Sequence, residues 1–144
     1  MRTRPVRLHA VLHAQPKYMT FLSHIPKYQD QSYFNTHLMR WQPETIINLP
    51  EGIGILPFLL PGSRHLMVET MLLMRDHQVV AWPQHGVIVR ADESIFHALD
   101  LVEYVETAAQ YEVLNLSTGE TSSGIEARHL REIAEIWNVR QKVF

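Results

Sequence analysis

Hydrophobic positions along the chain follow two rhythms: a period of two in short runs and a helical period in longer ones. Residues Val6 to His13 (VRLHAVLH) alternate, with Val6, Leu8, Ala10 and Leu12 on one face and Arg7, His9, Val11 and His13 on the other, which predicts a strand. Pro16 suits a first helical turn, and Tyr18, Met19, Phe21, Leu22 and Ile25 supply a helical stripe that stops near Pro26. From Lys27 to Asn48 the pattern weakens, and a loop with a short helix followed by a short strand at Thr45, Ile46 and Ile47 is expected. The segment LPEGIGILPFLLPGS carries Pro50, Pro57 and Pro61 with Gly52, Gly54 and Gly62, so its extended pieces must be short or lie at edges. Ser63 is placed to cap a helix bearing Leu66, Met67, Thr70, Met71 and Met74, whose methionines are expected to fill the core.

Gln78 to Arg90 (QVVAWPQHGVIVR) reads as two buried strands broken at Pro83-Gln84-His85-Gly86. Asp92 then caps a long helix with Ile95, Leu99, Val102, Val105, Ala109 and Val113 on the buried face. Glu103, Gln110 and Glu112 fall mostly off that face, and Thr118-Gly119 ends the helix. Ser123 and Glu126 match the S-x-x-E capping box ahead of a last helix with Ile125, Leu130, Ile133, Ile136 and Trp137. The apolar end of the tail RQKVF is expected to dock, a neighbouring subunit being one candidate surface.

Composition narrows the class. The 144 residues, 46% of them hydrophobic, are one domain's worth spanning 1–144. A net charge of −2 carries no electrostatic footprint for nucleic acid or an anionic membrane. No run of about twenty apolar residues is present, and MRTRPVRLHAVLH lacks a signal-peptide core. Cysteine is absent, which excludes disulfides and thiol catalysis and fits a cytoplasmic protein.

Nine histidines make metal sites worth weighing. His85 sits at a strand break before a glycine that leaves its ring open to approach, although a lone histidine in an apolar stretch is more often a hydrogen-bonded core residue. His13 closes a strand, so both could reach the same end of a sheet, and histidine is the preferred nitrogen ligand of zinc. His9 shares the face of His13 but lies about 13 Å away along an extended strand, too far to share one ion. Gln15 follows His13 at the spacing of an H-x-H pair, and its amide is a poor zinc ligand. Histidines 24, 37, 65, 77, 97 and 129 lack ligand spacing and read as surface or capping residues. Glu44, Glu51, Glu103 and Glu106 are candidate acid or base groups, most of them expected to be solvated or ion-paired. No phosphate-binding glycine loop and no G-x-S-x-G elbow occur.

Taken together, VLHAQP, LPEGIGILPFLLPGS, VVAWPQHGVIV and LDLVEYVETAAQ resemble the class II aldolase/adducin family over about Val6 to Phe144, most closely its rhamnulose-phosphate-cleaving branch. The resemblance implies an α/β fold with a central sheet flanked by helices, a tetrameric homo-oligomer, and zinc (Zn2+) held by an H-x-H pair and a later HG histidine. His13 and His85 match the first and last of these ligands, and Gln15 stands where the second would be. Glu44 falls at a carboxylate near the active site. The implied reaction is retro-aldol cleavage of the small sugar phosphate L-rhamnulose 1-phosphate to dihydroxyacetone phosphate and L-lactaldehyde. There a metal ion stabilises the ene-diolate and a carboxylate moves the proton. By the same resemblance the chain matches the C-terminal part of such an enzyme, without the first third that supplies phosphate loops and the main glutamate. Little aldolase activity is therefore expected of the 144 residues alone. A non-catalytic assembly domain of the same fold and a sugar-phosphate 4-epimerase are the alternatives.

Overall fold

The computed structural model describes residues 9–119 and 122–144. The portion of the predicted first strand at Val6 to Leu8 lies outside the described residues; the strand observed, β1, runs Ala10–Ala14. After it come α1 (Lys17–Leu22), a short 3-10 turn at Pro26–Gln29, α2 (Gln31–Leu38), α3 (Pro43–Asn48), β2 (Gly54–Ile55) and α4 (Arg64–Leu73). The hairpin strands β3 (Val79–Trp82) and β4 (Gly86–Ala91) follow, then α5 (Ile95–Thr118) and α6 (Ala127–Ile136).

The four strands form one sheet in the order β1-β4-β3-β2, with β2 parallel to β3 and the other pairs antiparallel. The alternation read from the sequence decides its two faces. Leu12, Ala14, Val79, Ala81, Val87, Val89 and Ala91 point to the main core, where α5 and α1 cover them. Val80, Trp82 and Ile88 point to the other face, which the side chains of α4 and the preceding loop cover over its β3 half with Leu56, Leu66 and Leu73. The first face is thus covered, whereas the second is left open along β1, where Val11 and His13 are exposed.

Several local expectations change. Thr45, Ile46 and Ile47 belong to helix α3, not a strand: Pro43 starts the helix at a position where its missing N–H costs nothing, and Ile46 packs fully buried where α3 meets α5 and α6. Ser63 does cap α4, its Oγ accepting from the Leu66 N–H at 3.1 Å. Of the methionines expected to fill the core, Met74 packs against the smaller apolar cluster, whereas Met67 and Met71 are 52% and 64% exposed. They line an open apolar groove of about 590 Å³ together with Val11, Leu66, Trp82 and Ile88.

Ser94, not Asp92, caps α5 by accepting from the His97 N–H at 3.0 Å, while Asp92 pairs with Arg90 and His9. Of the expected stripe of α5, Val102, Val105 and Ala109 are buried, but Ile95 and Leu99 are exposed, and Ala98, Leu101, Ala108 and Glu112 are buried as well. Gly119 ends α5 in the left-handed region. At α6 the expected capping box is absent: Glu126 is the N-cap without a side-chain bond and pairs with Arg128 instead. Ile136 and Trp137 are exposed, and Leu130 and Ala134 face the core. The tail docks within its own chain, Lys142 N–H donating to the Pro50 carbonyl while Val143 and Phe144 pack against the core.

Among the described residues no helix is long and apolar enough to cross a membrane.

Candidate metal centre

The hairpin that joins β3 and β4 builds the site. Pro83 at the second position of the turn and Gln84 at the third, with φ 62°, follow the pattern of a type II turn, closed by the His85 N–H donating to the Trp82 carbonyl at 3.0 Å. A left-handed glutamine costs of order 1 kcal/mol. Ser23 helps hold it there: its Oγ accepts from the Gln84 N–H at 2.7 Å and donates to the Thr20 carbonyl at 2.6 Å, which anchors the turn to α1.

Register then sets what faces what. His13 on β1 lies opposite Ile88 on β4, and Trp82 on β3 lies opposite Gly86, so on the half-open face Gly86 sits between the Trp82 and His13 positions. A Cβ at Gly86 would lie 2.3 Å from the Ala14 carbonyl oxygen and 3.2 Å from Gln15 Cγ. Only glycine lets β1 end this close to the hairpin and leaves a floor between the rings. His13, His85 and Trp82 accordingly form a triangle, with ring centres 5.0 Å apart for the histidines and 4.9 and 5.2 Å from the tryptophan. Trp82 is locked by donating from Nε1 to Thr70 Oγ1 at 2.9 Å, and Thr70 in turn donates to the Leu66 carbonyl.

The imidazoles suit a shared cation. The Nδ1 of His13 lies 2.8 Å from the Val87 carbonyl, an acceptor only, so Nδ1 donates there and Nε2 is the nitrogen left for a ligand. The Nδ1 of His85 is buried with no hydrogen-bond partner among the described residues, a polar atom that a ligand would satisfy. Two imidazoles on one tetrahedral zinc, with Zn–N about 2.0–2.1 Å, hold their ring centres about 5 Å apart, which agrees with the observed spacing. The third expected position is Gln15, exposed beside Gly86. No group of three or more His, Cys, Asp or Glu side chains with ligand geometry occurs among the described residues.

Other candidates lie elsewhere. Glu44 is exposed in the first turn of α3, whose main packing partners are α5 and α6, and its carboxylate has no bond among the described residues. Glu106 receives the Tyr18 and Met19 N–H groups at the start of α1, and Glu51 accepts from Gln78. His9 pairs with Asp92 at the far end of β1, as the strand spacing requires. Trp82 and Thr70 were not anticipated as parts of the site; strand alternation, which puts residue 82 on the face of residue 80, was the available signal.

Comparison with known proteins identifies the family and the fold. Residues 3–113 match the class II aldolase and adducin N-terminal domain. A rhamnulose-1-phosphate aldolase of Listeria monocytogenes serovar 1/2a is 26% identical over 132 residues, covering 92% of this chain and 48% of the relative. A sugar-phosphate aldolase of Thermotoga maritima superposes with a TM-score of 0.67 at 29% identity, over 79% of this chain and 47% of the other. An L-fuculose 1-phosphate aldolase shares the fold at a TM-score of 0.62 and 21% identity, over 89% of this chain and 55% of the other. The chain spans about half the length of the curated relatives it matches.

Proposed function

Because the chain belongs to the class II aldolase and adducin family, we propose that it serves metal-assisted retro-aldol cleavage of a ketose 1-phosphate. L-Rhamnulose 1-phosphate, giving dihydroxyacetone phosphate and L-lactaldehyde, is the substrate that the names of its relatives favour. The observation that carries this reading is the His13–His85 pair, whose ring centres 5.0 Å apart are compatible with two ligands of one ion.

His13 and His85 would hold a divalent cation. Such an ion, when bound, supplies Lewis acidity toward the negative oxygens that develop as the C3–C4 bond breaks. The chain's own residues orient and shield. The Val87 carbonyl accepts from Nδ1 of His13, which orients the ring and leaves Nε2 as the nitrogen that would face the ion. Gly86 keeps the floor between the rings clear, and the Trp82 ring, held by Thr70, walls one side of the histidine pair. Glu44 is proposed as the proton-moving carboxylate on the family resemblance alone.

The second reading, a non-catalytic assembly domain of the same fold, draws on Gln15 at a ligand position. Zinc titration separates the two. Equilibrium dialysis against saturating zinc is expected to show one zinc taken up per chain, and His85→Ala should abolish uptake while leaving the circular dichroism spectrum unchanged. A wild-type chain that takes up no zinc overturns the catalytic proposal.

A further inference from the structure

We propose that Gln15 makes the His13–His85 centre a weakly held, exchangeable cation site in place of a resident zinc site, an inference that rests on the metal reading above. Gln15 stands two residues beyond His13, and its Cγ runs beside Gly86, the residue after His85. Its amide makes no hydrogen bond among the described residues and the side chain is exposed, so it is free to turn toward the rings.

As a donor it is a neutral oxygen. Zinc favours imidazole and thiolate, and its catalytic sites take three protein ligands drawn from these and carboxylates. Here two imidazoles are present, and no acidic side chain among the described residues joins them to make up the deficit. All three donors are uncharged, so none of the ion's charge is neutralised by the protein. The site is also open on the side of the exposed His13, while Trp82 closes another side about 5 Å from both rings. An ion held by two nitrogens and an amide, with solvent at hand, exchanges with its surroundings.

Zinc affinity measured by competition with a chromophoric chelator tests this on four chains: wild type, Gln15→His, Gln15→Glu and His85→Ala. Gln15→His is expected to bind zinc about 100-fold more tightly than wild type. Gln15→Glu, nearly isosteric and exposed, should also bind more tightly, and it carries the comparison if the histidine variant misfolds. His85→Ala should bind none. Wild-type affinity within about threefold of both Gln15 variants would overturn the inference and leave the metal reading standing. Absence of binding in every chain would overturn the metal reading and this inference with it.

Discussion

Gly86 shows how one residue type can decide a site. Without a side chain it lets the Ala14 carbonyl approach to where a Cβ would stand at 2.3 Å, and it leaves room between His13 and Trp82. A methyl there meets backbone, which cannot rotate away, so β1 and the hairpin must separate. Gly86→Ala is therefore expected to cost about 2–3 kcal/mol in urea unfolding and to weaken zinc uptake at the same time. Unchanged stability would show that the strands accommodate the methyl. His85 drew notice in the sequence because it stands at a strand break before this glycine, and its reading as a metal position came from the family resemblance. The tight fit with Ala14 was not, since it depends on the β1–β4 register, a contact between residues over seventy positions apart.

Among the elements, caps and stripes separate what local sequence decides from what packing decides. Asp92 and Ser94 are both good caps two residues apart, and local preference does not choose between them. The choice goes to Ser94 because the Asp92 carboxylate is engaged by Arg90 at 2.9 Å and His9 at 3.1 Å. Ser94→Ala is expected to lower stability by about 1 kcal/mol, and Asp92→Ala by less, its ion pairs being only partly buried. Thermal unfolding of the two variants checks the order, and a larger loss in Asp92→Ala would reassign the cap. Helix α3 makes the related point: Thr45-Ile46-Ile47 has strand propensity, but burial between helices overrides a preference worth only tenths of a kcal/mol per residue. On α4 the period was right and the environment was not, because an amphipathic pattern says which residues share a face and not whether anything covers it.

Across the whole molecule, Glu112 ties three segments together. It is 1% exposed on α5 and accepts from the Tyr28 hydroxyl, from Arg40 Nη2 at 3.1 Å and from Trp41 Nε1 at 2.7 Å. This joins α5 to the 3-10 turn and to the end of α2, and three donors satisfy a carboxylate that would otherwise be costly to bury. Burial, and then the hydrogen bond to Glu112, push the Tyr28 phenol above its ordinary range. The folded chain thus keeps this proton where the unfolded chain releases it, at about pH 10 and above. Its contribution to stability is complete below that pH and is lost as pH rises further. Urea midpoints are expected to fall above about pH 10 more steeply in wild type than in Tyr28→Phe, which is the less stable protein at neutral pH. Parallel pH profiles would show that Tyr28 does not carry this linkage.

The sequence by itself determined the strand alternation, the breaking hairpin at Gln78 to Arg90, and the helix ends at Ser63 and Gly119. Each of these rests on neighbours within a turn or a strand, or on a motif held within a few residues. Tertiary structure alone decided that Trp82 and Thr70 wall the centre, that Glu112 is buried, that Met67 and Met71 are exposed, and that the tail docks on its own chain. These outcomes depend on which face of each element meets another element, and helical or strand period leaves that direction free until the sheet and helices are assembled.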